Sequence, residues 1–107
     1  MVRKPLHFLG SSLDDLKSFP PEARRDAGFN LDFVQRGLEP SNWRPMRAVG
    51  SGVNEMRIHD ATGAFRVIYL ARRPEGIYVL HCFRKKTRKT RKADIELAAN
   101  RLRQIGD

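Results

Sequence analysis

Hydrophobic positions follow a helical period in the first third of the chain. The short stretch "KPLHFLG" predicts a strand that ends at glycine, and "SSLDDLKSF" predicts a helix after it. The next segment, "PPEARRDAGFNLDFVQRG", begins with two prolines and ends with glycine, the usual boundaries of a helix. Its apolar residues are spaced by four, four, three and four along one face: Ala23, Ala27, Leu31, Val34 and Leu38. The first third is therefore predicted to be a strand and a helical hairpin.

The period changes to two in the middle of the chain. "LEPSNWRPM" is interpreted as a proline-containing loop, and "MRAVGSG" predicts a strand that ends at its glycines. "VNEMRIHD" alternates, so that Met56 and Ile58 face one way while Glu55, Arg57 and His59 face the other. This pattern predicts a strand with one apolar face and one polar face.

Two later segments are apolar on both faces, which is typical of central strands. They are "AFRVIYLARR" and "IYVLHCF", joined by "RPEG", which suits a type I turn. The last segment, "TRKADIELAANRLRQI", predicts a helix with Thr90 as its cap and apolar residues at helical spacing: Ile95, Ala98, Leu102 and Ile105. The order of elements predicts an α+β fold, a small antiparallel sheet with a mixed edge and helices packed on it, as one domain over residues 1–107.

Composition agrees with a folded domain. Apolar residues make up 40% and charged residues 31% of the 107 residues, which disfavours disorder. The apolar stretches are strand-length, too short to span a bilayer, and the N-terminal one is too short for a signal peptide, so we expect a cytoplasmic protein. The single cysteine, Cys82, excludes an internal disulfide framework and is expected to be a buried, inert thiol.

The net charge of +9 is unevenly distributed. Residues 1–83 carry twelve basic and nine acidic side chains, whereas residues 84–107 carry nine basic and three acidic ones. Such asymmetry indicates a polyanionic partner. Nucleic acid is favoured over a membrane surface, because no amphipathic segment presents a large apolar face opposite the cations.

Seven cations lie between Arg84 and Lys92, with no anion among them. The segment begins where the last strand ends and continues into the final helix, so it is predicted to be a loop fixed at both ends rather than a free tail. The alternative is a solvated basic rim that attracts phosphates without specificity.

Arg66 is out of place in an apolar strand, because a buried unpaired charge is very costly. It must reach a partner, a cleft or a strand edge, and Glu55 is the candidate partner if their strands are neighbours. A purely structural ion pair is the alternative. A patch of Arg57, Arg66, Lys85 and Lys86 would suit a phosphodiester whose charge increases in the transition state.

The histidines offer one candidate for proton transfer. His59 shares a strand face with Arg57, although an ordinary surface role is equally compatible, and His81 is expected to be a satisfied core histidine. No pair of histidines has helical metal spacing and no glycine-rich loop precedes a helix, so we expect no metal and no cofactor.

The chain resembles a known family. "SSLDDLKSFP", "VQRGLEPSNWRPM", "VNEMRIHDATGAFRVIYLA", "FRKKTRKT" and "ADIELAANR" occur in the order found in the phage-related HigB-like branch of the RelE/ParE toxin superfamily, and the resemblance covers residues 5–105. It implies a RelE-like fold and a type II toxin–antitoxin toxin that cleaves mRNA in the ribosomal A site. In that chemistry the ribose 2′-OH attacks the adjacent phosphate without a metal, and a cognate antitoxin neutralises the toxin.

The resemblance also implies roles for particular residues. Arg66 matches the strand arginine that contacts the scissile phosphate, and Arg57 is expected to be a further contact. Lys85, Lys86 and Arg88 match the basic cluster that stabilises the phosphorane and the leaving oxygen. Arg88 is also expected to bind RNA, together with the other cations of the block: Arg84, Lys89, Arg91 and Lys92.

The chain departs from the family near the start of the last helix. Related nucleases often carry tyrosine or histidine there, whereas this chain has Thr90, Arg91 and Lys92. The general base is therefore open between His59 and a lysine whose pKa is lowered by neighbouring cations. A weak or non-catalytic member of the family is also compatible with this departure.

Two other functions remain possible on the same fold. One is a ParE-like inhibitor of DNA gyrase, which needs no catalytic residues, and the other is a plain basic nucleic-acid-binding module. Cations on the strand-end loop, and not only on the last helix, favour RNA and hence an endoribonuclease. The expected partners are mRNA, the ribosome and an antitoxin protein.

Overall fold

A computed structural model describes residues 3–106, and Met1, Val2 and Asp107, the ends of the predicted domain, lie outside the described residues. Its elements are β1 (Leu6–Phe8), α1 (Ser12–Lys17), α2 (Pro21–Gln35), β2 (Trp43–Pro45), β3 (Val53–Asp60), β4 (Gly63–Leu70), β5 (Ile77–Lys85) and α3 (Lys92–Ile105). Within residues 3–106, none of the helices combines the length and hydrophobicity needed to cross a membrane.

The five strands form one mixed sheet in the order β1-β5-β4-β3-β2. The strands β2 to β5 are antiparallel to their neighbours, and β1 pairs in parallel with β5 at the edge. The α+β fold with a mixed edge is confirmed, and it is consistent with the RelE-like fold that the resemblance implies.

One face of the sheet is covered by α1 and α2. The face of α2 that carries Ala23, Ala27, Leu31 and Val34 packs against the apolar residues of the strands, as the spacing predicts. Cys82 lies in this core at 2% exposure, so its predicted burial is confirmed, and burial raises the pKa of its thiol to about 12.

The opposite face is covered only in part. The helix α3 packs on Ile68, Leu70 and Leu80 with a second group of apolar side chains, among them Ala98 and Leu102. The strands β3, β4 and β5 continue past this contact, and there their side chains are polar. The fold therefore leaves this end of the sheet face without a covering helix, although Glu55 and Arg66 are buried there. We call it the open half-face, and it carries Glu55, Arg57, His59, Arg66 and Lys85.

Three local predictions were wrong. The stretch after Met46 forms turns, because its glycines favour tight bends, and the short strand β2 instead begins at Trp43. Thr90 does not cap α3, since Arg91 occupies that position without a capping hydrogen bond. Leu38 lies beyond the end of α2 and is 53% exposed, so it is not part of the core.

Candidate functional site

The register of the strands brings the polar side chains of the open half-face together. Arg57 of β3 lies opposite Arg66 of β4, so the two arginines are neighbours on one face. One row further along, His59 lies opposite Ala64, and Ala64 lies opposite Lys85 of β5. Sequence reasoning placed these residues on suitable strands, and the hairpin register now aligns them.

Glu55 lies at the centre of this group. Its Oε1 is 3.6 Å from Nε of Arg66 and 3.8 Å from Nε of both Arg57 and Arg44, and its Oε2 accepts a 2.8 Å hydrogen bond from the hydroxyl of Thr90. We call Arg44, Glu55, Arg57 and Arg66 the arginine cluster. The strands β2, β3 and β4 and the segment after β5 therefore meet at one carboxylate.

Burial explains why Glu55 needs several cationic partners. The side chain is fully buried, and an ion removed from water is costly unless opposite charges surround it. Arg66 is nearly as buried, at 6% exposure, and donates from Nη1 to the carbonyl of Phe65 at 3.0 Å. The proposed pairing of Arg66 with Glu55 is thus present in the structure.

The contacts around Oε1 are charge–charge contacts rather than hydrogen bonds. The Nε atoms of Arg57 and Arg66 and the Oε1 atom of Glu55 are buried and have no hydrogen-bond partner within residues 3–106. Three arginines around a single carboxylate leave a net positive charge at this group. An anion arriving at the open face would meet that charge.

Access to solvent differs among the three arginines. Arg44 is 57% exposed, Arg57 is 26% exposed and Arg66 is only 6% exposed. Arg57 and Arg44 can therefore contact a ligand directly. Arg66 lies beneath them, where it contributes charge and holds Glu55 in place.

Lys85 extends the positive surface from the end of β5. Its partial burial lowers the pKa of its ammonium, the positive charge of Arg66 lowers it further, and Glu55 opposes the shift. Burial likewise lowers the pKa of Arg66, against the opposing effect of Glu55. Cations crowded in this way bind an anion with little loss of hydration, since part of their hydration has already been removed.

The structure divides the basic block between different surfaces. Arg84 faces away from the arginine cluster, where its guanidinium lies 4.7 Å from the ring centroid of Phe65 and donates to the carbonyl of Thr62. Lys86 and Arg91 line a cavity of about 350 Å³ at the free edge of β5. Arg88, Lys89 and Lys92 are exposed, and Lys92 lies 3.8 Å from Glu96. Lys85 is the residue of the block whose charge interacts with the arginine cluster, and it therefore belongs to the open half-face.

The histidines occupy different environments. His59 is exposed and lies two strands from Lys85, roughly 10 Å by the usual strand spacing. His81 is buried as predicted, and its Nε2 lies 2.8 Å from Oδ1 of Asp94 on α3. The prediction that it is satisfied holds only for that nitrogen, because its buried Nδ1 has no hydrogen-bond partner within residues 3–106. Among residues 3–106, no group of three or more histidine, cysteine or acidic side chains is arranged to hold a metal ion.

Sequence reasoning missed two members of the site. Arg44 was assigned to a loop, although it lies in β2 directly opposite Glu55. Thr90 was assigned as a helix cap, although its hydroxyl is used by Glu55. The alternation of Trp43, Arg44 and Pro45 is too short to indicate a strand, and a bond between residues 35 positions apart has no local signature.

A comparison with protein families matches residues 14–103 to the model described as Phage derived protein Gp49-like (DUF891). The chain belongs to this family. The match spans both helical regions, the three long strands and the basic block. The Gp49-like family is associated with RelE-like toxins of toxin–antitoxin systems, in agreement with the fold. A comparison with curated proteins finds no match.

Proposed function

We propose that this protein is the toxin of a type II toxin–antitoxin system, of the HigB-like branch, and that it cleaves mRNA on the ribosome. The observation that carries this proposal is the arginine cluster on the open half-face. Three guanidinium groups surround one carboxylate, and Lys85 lies beyond them, so the half-face has an excess of positive charge. An RNA backbone is a polyanion of suitable sign and shape for an open, cationic surface.

In the proposed reaction the ribose 2′-OH attacks the adjacent phosphorus atom. The proton of the 2′-OH passes to a base, the bond between phosphorus and the 5′ oxygen breaks, and the 5′ oxygen takes up a proton from water. The products are a 2′,3′-cyclic phosphate on one fragment and a 5′-hydroxyl on the other. Negative charge on the phosphoryl oxygens increases in the transition state. Preorganised cations at that position lower the barrier, and the loss of one such donor commonly costs about 10²- to 10³-fold in rate.

The exposed fractions suggest how the roles are divided. Arg57 reaches the surface and would contact the phosphoryl oxygens, and Lys85 would do so once it has taken up the proton of the 2′-OH and become cationic. Arg66 would act from beneath by its charge and by fixing Glu55. Lys86 and Arg88 lie outside the arginine cluster and would hold flanking RNA together with the other cations of the basic block.

The proton acceptor is proposed to be Lys85. The lowered pKa of its ammonium increases the neutral fraction at a given pH, and a neutral lysine can take the proton of the 2′-OH. His59 is the other candidate and lies on the same face two strands away. Lys85→Met and His59→Ala separate the two, since full activity in one of these variants removes that residue from the role.

An antitoxin would neutralise the toxin by covering the same half-face. An acidic or helical segment placed over Arg57 and Lys85 would match the positive charge and exclude RNA. The experiment that tests the function is primer extension on an mRNA programmed into ribosomes, beside the same mRNA free in solution. Cleavage confined to the ribosome supports the proposal, and inhibition of DNA supercoiling without RNA cleavage contradicts it.

A further inference from the structure

A cavity of about 370 Å³ lies between α2 and the free edge of β3, next to the arginine cluster. We call it the edge cavity. Its lining includes aromatic rings from α2, an acidic side chain and two cationic or titratable side chains from β3: Phe29, Phe33, Asp26, Arg57 and His59. The sequence indicated Arg57 and His59 as functional, but it did not indicate Asp26, Phe29 or Phe33.

Phe29 is the unusual feature of the edge cavity. It is 62% exposed, although a phenylalanine gains stability when it is buried, and its ring centroid lies 4.9 Å from that of Phe33. Neither ring belongs to the apolar core of the described chain. Phe33 is half-buried and tilted by 53° against Phe29, so it supports the exposed ring of Phe29, on which another flat, apolar surface can stack.

Arg57 connects the edge cavity to the candidate active site. The same guanidinium that lies 3.8 Å from Glu55 also lines the edge cavity. A phosphate held by Arg57 therefore places the rest of that nucleotide, or of the next one, at the mouth of the cavity. Asp26 disfavours a second phosphate inside the cavity because like charges repel.

The polar groups of the cavity suit the edge of a nucleobase. Asp26 offers a carboxylate acceptor, and Ser41 and Asn42 offer a hydroxyl and an amide. The free edge of β3 adds backbone groups, because β2 pairs only with Asn54–Met56 and the antiparallel alternation points the N–H and C=O of His59 toward that edge. The edge cavity therefore contains both an aromatic ring for stacking and groups that can form hydrogen bonds with a base.

We propose that the edge cavity binds one unpaired nucleobase of the RNA, stacked on Phe29, next to the phosphate that Arg57 contacts. The proposal rests on the proposed function for its ligand class. Proteins that bind single-stranded RNA combine a cationic track with aromatic stacking in this manner. The edge cavity would thereby set the position of the RNA along the arginine cluster.

The test is a binding cycle with a five-nucleotide single-stranded RNA that is 2′-O-methylated to prevent cleavage. Phe29→Ala is expected to weaken binding about tenfold, whereas Phe29→Tyr keeps the ring and should stay within roughly twofold. Leu38→Ala is the matched control, because Leu38 is an apolar side chain that is 53% exposed and does not line the edge cavity, and it should bind like the wild type.

The base itself is identified with abasic versions of the same RNA, one position at a time. When the base is missing at one particular position, the wild type and Phe29→Ala should bind the RNA with the same affinity. Phe29→Ala should also leave the salt dependence of binding unchanged, whereas Arg57→Met should reduce the slope of log affinity against log salt by about one unit. Unchanged affinity in Phe29→Ala, or an equal effect of that variant on every abasic RNA, would overturn the proposal.

A cleavage assay that compares the wild type with Phe29→Ala distinguishes a failure of the nucleobase site from a failure of the proposed function. If ribosome-bound mRNA is cut and Phe29→Ala cuts it equally well, the nuclease assignment stands and the nucleobase site is wrong. If the wild type cuts the mRNA, and Phe29→Ala cuts more slowly than the wild type only when the RNA carries the base at the identified position, both proposals are supported.

Discussion

The hydroxyl of Thr90 donates a 2.8 Å hydrogen bond to Oε2 of Glu55, although the two residues are 35 positions apart. Thr90 belongs to the segment that joins β5 to α3, and Glu55 is the buried centre of the arginine cluster. The hydrogen bond therefore attaches the segment between β5 and α3, which carries most of the basic block, to the sheet. A substitution at either end is expected to affect both the stability and the activity of the protein.

Glu55→Gln should destabilise the fold and abolish cleavage. The amide keeps the volume of the side chain but leaves buried guanidinium groups without their anion, so we expect the free energy of unfolding to fall by about 3 kcal/mol in a urea titration. Glu96→Gln is the control, because Glu96 is 62% exposed and its partner Lys92 is exposed too. Equal stability of the two variants would contradict the central position of Glu55.

Thr90→Val should reproduce part of this effect. The substitution is close to isosteric and removes the hydroxyl that Glu55 accepts from, so we expect a loss of about 1.5 kcal/mol in the same titration. Thr90→Ser keeps the hydroxyl and should recover most of that stability. Thr87→Val is the control within the same segment, because Thr87 donates to the carbonyl of Lys89 and does not contact Glu55.

Lys85 should titrate below the ordinary lysine value of 10.5 in the folded protein. Burial is the first cause and the charge of Arg66 is the second, so Arg66→Met should raise the pKa of Lys85 only part of the way back, as seen by NMR of the lysine side chain. Arg47→Met, outside the arginine cluster, should leave the titration unchanged. A midpoint for Lys85 at or above 10.5 would be incompatible with the crowding of these cations.

The lowered pKa of Lys85 determines whether its contribution to stability rises or falls with pH. Between the lowered pKa of folded Lys85 and 10.5, the unfolded chain binds more protons than the folded chain, so the contribution of Lys85 makes stability rise with pH. Lys85→Met removes this contribution. The difference in unfolding free energy between wild type and variant should therefore change across that interval and stay constant below it.

Cys82 should react with thiol reagents only when the protein unfolds. The thiol is 2% exposed, and burial raises its pKa to about 12, so both access and thiolate formation are suppressed. Labelling in native buffer should be slow and should accelerate through the urea transition. Ser51→Cys, in an exposed turn, is the control and should be labelled at once. Rapid labelling of Cys82 in native buffer would argue against this core.

The sequence predicted the elements whose periodicity is long. The helices α2 and α3 and the strands β3, β4 and β5 each contain enough residues for a period to be recognised, and the prolines and glycines beside them mark several boundaries. The pairing of Glu55 with Arg66 was also predictable, because a charge in an apolar strand needs a partner on a neighbouring strand.

The remaining parts of the site depend on tertiary contacts. The strand β2 has three residues, so its assignment depends on pairing with β3 rather than on its own pattern, and with it Arg44 was missed. Arg84 and Lys85 are adjacent in sequence but face opposite sides of the sheet, since side chains alternate along a strand. A count of cations could therefore locate the basic block but could not divide it between surfaces.

The RNA-cleaving role of the open half-face is tested by primer extension on ribosome-bound mRNA with the wild type and Arg57→Met. We expect cuts by the wild type on the ribosome, none on free mRNA, and a rate reduced about 10²-fold or more by Arg57→Met, with Arg47→Met cutting like the wild type. Absence of cuts by the folded wild type, or equal cleavage by Arg57→Met, would contradict the assignment of the open half-face as an RNA-cleaving site.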